Sequence, residues 1–279
     1  MILVTGATGN VGGHLVSQLL EAGHSVRVFT RDPAKANRWG AQVEIAVGDF
    51  LNPDSFARAA NGTRAIFLLA DLTDAEHFGA IVNAARASGA RVVLISAALA
   101  ELPDSEYGVY YRAREEVLCR SGLPWAILRP GNFMSNTYQW IPSIRSEGTV
   151  YNPTGNWTDA PIAPEDIATV AAKCLTSPEQ EGGILGLTGG ELLSVPEQVG
   201  MLAEALQRPI RCVDVPVRSA VQYLIRIGMA ESTARSVGDF YELTRSGAFS
   251  SIKNTYELVT KRKPKNFRTW AKEHAARFS

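Results

Sequence analysis

Near its beginning the chain reads TGATGNVGG over residues 5–13, directly after the apolar run Ile2-Leu3-Val4. The first glycine of this pattern permits a tight turn, the second lets the backbone approach a pyrophosphate, and the third lets a helix pack closely on a strand. The helix that follows offers backbone N–H groups and a positive dipole to phosphates. The stretch therefore predicts a dinucleotide-binding loop, with cofactor contacts from Gly6, Thr8, Gly9, Asn10, Val11 and Gly12.

Apolar, β-branched runs alternate with longer helical patterns through the first half of the chain. The runs are mostly apolar and do not alternate regularly with polar residues, which is typical of strands buried on both faces of a parallel sheet. Strands are predicted at Ile2–Thr5, Ser25–Arg31, Val43–Val47, Arg64–Ala70, Arg91–Ala97 and Pro124–Arg129. Helices are predicted at Val11–Gly23, Pro53–Asn61, Asp74–Gly89 and Ala113–Ser121. This order predicts an α/β fold with a Rossmann-like, doubly wound parallel sheet.

The pattern changes after Gly131, where glycine, proline, asparagine and threonine become frequent and strands can be short at most. Further helices are predicted from Pro164, over 194–207 and 216–247, and from Asn266 to Phe278. We therefore expect an NADP(H)-binding Rossmann-like domain at residues 1–150. Residues 151–279 are expected to form a smaller, mostly helical substrate lobe that packs on this domain as part of one cooperative unit.

Composition excludes several classes of function. Lysine plus arginine and aspartate plus glutamate number 28 each, so no charge imbalance points to nucleic acid or an anionic membrane. Three widely spaced cysteines and four scattered histidines form neither a disulfide framework nor a metal pattern, and a reduced, cytoplasmic compartment is expected. Neither a signal peptide nor a membrane span is predicted. The oligomeric state stays open.

The end of the second predicted strand bears on the choice of cofactor. NAD sites place an acidic residue there for the ribose 2′-hydroxyl, whereas NADP sites place a basic one for the 2′-phosphate. Here Thr30 and Arg31 occupy that position, and Lys35 adds positive charge. Asp32 precedes Pro33 and is interpreted as the N-cap of the next helix. NADP(H) is therefore the expected cofactor, with NAD(H) as the alternative.

Other residues at strand ends are candidates for contact with the rest of the cofactor. Asp49 follows the third strand and is placed to bond the adenine amino group, with Phe50 beside the ring; the alternative for Asp49 is a turn or cap residue. Ala70, at the end of the fourth strand, is small enough to let the adenosine lie close. Phe133, after the sixth strand, is predicted to flank the nicotinamide.

These motifs resemble the NmrA-like, atypical branch of the short-chain dehydrogenases/reductases. The resemblance is carried by residues 5–12, 26–33, 48–49, 121–133 and 164–168, and by an ending at 255–270. It covers nearly the whole chain and implies the fold. It is less specific for chemistry, since the family includes quinone, ketone and isoflavone-type reductases as well as cofactor sensors that catalyse nothing. A similarity to angucyclinone-type ketoreductases of aromatic polyketides implies antibiotic biosynthesis.

The resemblance also implies a catalytic serine, tyrosine and lysine, and this chain departs from that set. Ser96 matches the serine and is a candidate oxyanion contact, with Tyr110 second. The chain has no lysine between Lys35 and Lys173, and Arg114 stands four residues after Tyr110. Arginine does not readily give up a proton, so the usual proton relay is not expected.

Aromatic and polar residues after the sixth strand are predicted to contact a flat, apolar substrate: Asn132, Met134, Tyr138, Trp140 and Trp157. Each is equally compatible with a role in burying its own loop. The predicted function is an NADPH-dependent reductase that transfers hydride to a carbonyl or quinone of a bulky aromatic, polyketide-like substrate. The alternative is a non-catalytic NADP(H)-binding sensor or regulator of the NmrA type.

Overall fold

A computed structural model describes residues 1–69, 75–102 and 105–279 of the chain. Its strands lie in the following ranges: Ile2–Thr5 (β1), Val26–Thr30 (β2), Val43–Val47 (β3), Ala65–Leu68 (β4), Arg91–Ile95 (β5), Trp125–Pro130 (β6), Thr149–Asn152 (β7), Thr158–Asp159 (β8), Ile184–Leu187 (β9), Leu193–Ser194 (β10) and Arg211–Asp214 (β11). Every residue of β1 and β4 is buried, as their unbroken apolar sequences predict.

Seven of these strands form one parallel sheet in the order β3-β2-β1-β4-β5-β6-β9. Ile2 of β1 lies opposite Val26 of β2 on one side and Ala65 of β4 on the other. The chain therefore adds β2 and β3 on one side of β1, and then β4, β5 and β6 on the other side. In such sheets ligands bind at the carboxyl ends of the strands, beside the point where the direction changes. The predicted doubly wound Rossmann-like sheet is confirmed.

The α-helices lie in the following ranges: Asn10–Glu21 (α1), Pro53–Ala60 (α2), Ala75–Ser88 (α3), Glu106–Cys119 (α4), Ile141–Glu147 (α5), Pro164–Thr176 (α6), Val195–Leu206 (α7), Val217–Arg226 (α8), Glu231–Arg245 (α9), Thr255–Thr260 (α10) and Phe267–His274 (α11). Short 3₁₀ segments occupy Pro33–Gln42, Ala98–Glu101, Met134–Trp140, Pro178–Gln180 and Ala275–Arg277.

Two predicted helices differ from the observed ones for local reasons. Helix α4 starts at Glu106 rather than Ala113, because the Ser105 hydroxyl caps it by accepting the Gly108 N–H. The single helix predicted over 216–247 is divided into α8 and α9, and the break contains Gly228 at φ +98°. Strand β9, which completes the sheet beside β6, was not predicted; its short sequence Ile-Leu-Gly-Leu carries little periodicity.

The chain folds as two units. Unit 1 contains Met1–Gly131, Pro164–Leu187 and Thr255–Arg262, and therefore the whole seven-stranded sheet. Unit 2 contains Asn132–Ala163, Thr188–Asn254 and Lys263–Ser279. Each has its own apolar cluster, which includes Phe56 and Phe78 in unit 1 and Trp270 in unit 2. The functional division into residues 1–150 and 151–279 stays a prediction.

Candidate functional site

The loop after β1 has the geometry that its glycines predict. Gly6 has φ +60°, which favours glycine, and the Gly9 N–H donates to the Gly6 carbonyl oxygen at 3.0 Å. A Cβ at Gly12 would lie 2.3 Å from that same oxygen. Glycine at position 12 is therefore a steric requirement of the close approach between α1 and the turn.

The start of α1 presents the loop to solvent. Thr8, Gly9 and Asn10 are exposed, and Gly9 caps the helix without a side-chain hydrogen bond. The first intrahelical bond is donated by the Gly13 N–H to the Gly9 carbonyl at 3.0 Å. Earlier N–H groups, such as that of Val11, are not used by the helix itself. Because the Val11 residue is 6% exposed, its predicted cofactor contact would be made by this backbone group.

At the end of β2 the predicted cap is confirmed. The Asp32 carboxylate accepts the Ala34 N–H at 3.0 Å, and Pro33 occupies the first turn of the 3₁₀ segment. Asp32 is thus engaged as a local cap. Arg31 beside it is exposed, and no ion pair joins it to any residue in the described ranges. Lys35 Nζ lies 3.9 Å from an Asp32 carboxylate oxygen, with both side chains well exposed.

Arg38 is a residue of this region that the sequence analysis missed. Its Nη2 donates to the Ala7 carbonyl oxygen at 2.9 Å, and its Cζ lies 4.0 Å from the centroid of the Trp39 ring. A positive charge is therefore held against the glycine-rich loop. The sequence feature that could have pointed to this contact is the second glycine of the pair at 12 and 13. A Cβ at Gly13 would lie 2.5 Å from Arg38 Nη2, so a glycine there leaves room for the guanidinium.

The carboxyl end of β3 is shaped mainly by local contacts. One oxygen of Asp49 accepts the Leu51 N–H at 3.0 Å, which is the turn role considered for it. The half-buried Phe50 ring packs on Phe29 and Phe56, at centroid distances of 5.3 and 5.5 Å. Contacts of Asp49 and Phe50 with adenine stay predictions. Ala70 lies outside the described residues.

A buried network joins three elements of unit 1. Ser96, directly after β5, donates its hydroxyl to Glu115 Oε1 of α4 at 2.5 Å. Arg129 of β6 donates Nε to the same oxygen at 2.9 Å and Nη2 to Oε2. Ser96 and Glu115 are 8% and 4% exposed. Hydrogen bonding to Glu115 raises the pKa of Arg129. Arg129 is thus bonded to a carboxylate of another element and has a structural role.

The network constrains what Ser96 can do. A serine hydroxyl has a single proton, and here the Glu115 carboxylate accepts it. The predicted oxyanion contact requires that proton to turn from Glu115 toward a ligand. The role of Ser96 in catalysis therefore stays a prediction.

Tyr110 and Arg114 are packed together in α4. The Arg114 Cζ lies 3.3 Å from the centroid of the Tyr110 ring, and Nη1 donates to the Tyr110 carbonyl at 2.9 Å. Arg114 is 5% exposed, whereas Tyr110 is half-buried. A guanidinium keeps its proton at any physiological pH, so Arg114 can favour a phenolate electrostatically but cannot pass on a proton. A catalytic role for Tyr110 stays a prediction.

Arg112, another residue of α4, holds the turn that follows β5. Its Nη1 donates to the carbonyl oxygens of Ala100 and Leu102 at 3.0 and 2.7 Å. A Cβ at Gly108 would lie 2.2 Å from the Leu102 oxygen, so the helix and this turn are in close contact. These bonds give Arg112 a structural role.

Asn132 of unit 2 is bonded to a buried acid. Its Nδ2 donates to Asp159 Oδ2 at 2.7 Å, and its Oδ1 accepts from Asn136. Burial raises the pKa of Asp159 to about 6, although the bond from Asn132 acts in the opposite direction. Asp159 was not singled out by the sequence, because an isolated aspartate among loop residues carries no pattern.

Three of the predicted substrate residues contribute to the core of unit 2. Met134 is fully buried within this cluster, so its contact with a substrate stays a prediction. Tyr138 packs on Trp270 at a centroid distance of 5.5 Å, and Trp140 packs against the same cluster. Their aromatic and apolar character thus serves packing. Trp157, by contrast, is 48% exposed. Phe133 is half-buried, and its backbone forms an isolated parallel β-bridge with Ile162.

The geometry agrees with comparisons to known proteins. Residues 6–178 match the model of a family described as NAD(P)H-binding. The chain is 36% identical over 288 residues to a (4-alkanoyl-5-oxo-2,5-dihydrofuran-3-yl)methyl phosphate reductase of Streptomyces griseus, covering 100% of this chain and 99% of that protein. It is 32% identical over 287 residues to an NAD(P)H azoreductase of Xenophilus azovorans, with the same coverage.

The chain belongs to the NAD(P)H-binding family. The predicted relationship to NmrA-like atypical short-chain dehydrogenases/reductases and the class of NAD(P)H-dependent reductase are confirmed. The crystal structure of an NADPH-dependent quinone oxidoreductase from Escherichia coli, complexed with NADPH, has the same fold. Its TM-score is 0.87 at 20% identity, covering 98% of this chain and 99% of that one.

Residues 1–69, 75–102 and 105–279 lack two kinds of feature. No helix there is both long and apolar enough to cross a membrane. No cluster of three or more histidine, cysteine, aspartate or glutamate side chains in the same ranges could hold a metal ion.

Proposed function

We propose that this protein uses NADPH to deliver hydride to a carbonyl or quinone of a bulky, conjugated, aromatic substrate. The glycine-rich loop, with Gly12 against the Gly6 carbonyl, is the single observation that carries the cofactor part. The exposed Arg31 at the end of β2 supports NADPH over NADH, because a guanidinium can bind the 2′-phosphate in a fork.

The proposed class of substrate rests on one chemical property, which is that some hydride acceptors can be reduced without a strong proton donor. The relatives are named as reductases of an azo compound, a quinone and an alkanoyl dihydrofuranone. In each of these acceptors conjugation spreads the negative charge that hydride addition creates. A strong proton donor is then less important than at an isolated ketone. The absence of lysine from residues 36–172 is consistent with such chemistry.

The hydrogen bonds and packing of the two candidate proton donors, Ser96 and Tyr110, also favour a conjugated acceptor as the substrate. The Ser96 proton is bound by Glu115, and Tyr110 is stacked on a guanidinium rather than on a lysine ammonium. Neither arrangement supplies a proton as readily as the usual tyrosine and lysine pair. The product anion would therefore be protonated by solvent or by a phenol of the substrate itself.

The test is NADPH oxidation, followed by absorbance, with a panel of quinones, azo compounds, alkanoyl furanones and polycyclic aromatic ketones. NADPH and NADH are titrated separately into the same protein, and the Escherichia coli quinone oxidoreductase serves as a control for the assay. We expect oxidation with conjugated acceptors and tighter binding of NADPH than of NADH. Tight NADPH binding without oxidation of any acceptor would contradict the substrate proposal and favour a sensor.

A further inference from the structure

Arg38 is held rigidly at the cofactor loop although it is an exposed residue. Its guanidinium is stacked 4.0 Å from the Trp39 ring centroid, and Trp39 is itself 9% exposed. One N–H bonds the Ala7 carbonyl at 2.9 Å. Two independent contacts thus fix a side chain that would otherwise be mobile, which reduces the entropy lost when it binds an anion.

Its positive charge is not neutralised locally. No carboxylate in residues 1–69, 75–102 and 105–279 forms an ion pair with Arg38. The two nearest acids along the chain are Asp32 and Glu44, each six residues away. Asp32 accepts the Ala34 N–H and lies near Lys35, and Glu44 pairs with Arg27. A guanidinium carries several N–H donors, and the bond to Ala7 uses one of them. Donors and charge therefore remain for a ligand at this loop.

Gly13 makes room for this guanidinium. A Cβ at position 13 would lie 2.5 Å from Arg38 Nη2 and 3.4 Å from Cζ. The backbone of Gly13 is ordinary α-helix, and the turn and helix packing of the loop are already explained by Gly6 and Gly12. The second glycine of the pair is thus needed for the approach of Arg38, and this links two positions 25 residues apart in the sequence.

We propose that Arg38 is a second phosphate-binding cation of the cofactor site, which acts with Arg31 on the 2′-phosphate of NADPH. Arg31 directly follows β2, and Arg38 is anchored to the loop after β1. Strands β1 and β2 are neighbours in the sheet. The 2′-phosphate of a bound NADP lies at this end of β2. The proposal rests on the NADPH preference proposed above, and it assigns Gly13 and Arg38 to that preference as a pair.

The test uses the full-length variants Arg38→Ala and Gly13→Ala, titrated with NADPH and NADH by calorimetry. Loss of one charge-assisted bond to phosphate is expected to weaken NADPH binding about 10- to 100-fold and NADH binding less than about twofold. Gly13→Ala should show the same selective loss, because it displaces the guanidinium. The double variant should be no weaker than Arg38→Ala alone.

Two controls isolate the charge from general damage. Arg58→Ala removes an exposed arginine from α2 and should leave both affinities unchanged. Arg38→Gln keeps an N–H donor for the Ala7 carbonyl but lacks the charge, so it should show the selective loss even if Arg38→Ala folds poorly. Circular dichroism and thermal unfolding verify the fold of each variant.

The outcomes separate this inference from the proposed function. Equal losses of NADPH and NADH would place Arg38 at the pyrophosphate and overturn its assignment to the 2′-phosphate. Unchanged binding in Arg38→Gln, with Arg31→Ala still selective, would overturn the Arg38 inference alone. A wild-type protein that binds both nucleotides equally would instead refute the NADPH preference on which the inference rests.

Discussion

Replacing Glu115 by glutamine is expected to destabilise unit 1 by about 3 kcal/mol, because it leaves the partly buried Arg129 without its counter-charge. Glu115 is 4% exposed and accepts bonds from Ser96 and Arg129, so one carboxylate links the end of β5, helix α4 and strand β6. Removing one partner of a buried pair costs about 3–5 kcal/mol. We take the lower end, since the Arg129 side chain keeps 16% exposure to water.

The neighbouring residue provides a matched control. Glu116 pairs with Arg120 on the same helix, but their side chains are 57% and 78% exposed. Glu116→Gln is therefore expected to cost less than about 1 kcal/mol. For a protein of this size 1 kcal/mol corresponds to roughly 2 °C in Tm, so Glu115→Gln should lower Tm by about 6 °C and Glu116→Gln by no more than about 2 °C.

The assay is chemical denaturation of both variants and the wild type, with thermal unfolding as a second measurement. Differences in the denaturation midpoint at constant slope report stability alone. If Glu115→Gln and Glu116→Gln were equally stable, the buried network would contribute no more than a surface ion pair, and the reasoning from its burial would be refuted.

Further substitutions test other parts of the structure. Asp159→Asn should stabilise the protein at pH 8 by about 3 kcal/mol, because burial raises the pKa of Asp159 from 3.8 to about 6 and a pKa unit corresponds to about 1.4 kcal/mol. That gain should shrink as pH falls from 6 and vanish below about pH 4, where the carboxyl is protonated in both states; a pH-independent difference in denaturation would contradict it. Arg31→Ala should weaken NADPH binding about 10- to 100-fold and leave NADH binding nearly unchanged, whereas equal losses in titrations would remove the NADP assignment. If the Ser96 hydroxyl turns from Glu115 to the substrate oxygen during the reaction, Ser96→Ala should lower turnover about 100-fold with NADPH affinity preserved, and wild-type kcat would exclude Ser96 from the mechanism. Gly12→Ala should reduce cofactor affinity more than about tenfold, since overpacking costs roughly 1–3 kcal/mol and opens the loop, while Gly79→Ala, with open space around it, should leave titrations unchanged.

The cofactor half of the site was predictable because its signals are local. Glycine spacing over residues 5–13 predicted the turn, and Asp32 before Pro33 predicted the cap. Both follow from backbone conformation and bonds between residues a few positions apart. The alternation of apolar runs and helical patterns likewise predicted the sheet, since strands buried on both faces leave little choice of sequence.

The substrate half was less predictable because composition does not distinguish two uses of an apolar residue. Met134 and Tyr138 have the character of ligand contacts, yet the first is fully buried and the second packs on Trp270. The same hydrophobic driving force places an aromatic side chain in a core or against a ligand. The sequence alone therefore could not indicate whether these side chains pack in the core or contact a ligand.

By itself the sequence determined the nucleotide-binding loop, the doubly wound sheet and the absence of the usual lysine. Tertiary structure alone decided that Glu115 meets Ser96 and Arg129, and that Arg38 meets Ala7. These partners are 14 to 31 residues apart, so no local pattern links them. Turns and caps depend on neighbours along the chain, whereas the pairing of distant polar groups depends on how strands and helices pack, and buried polar groups must find partners where that packing places them.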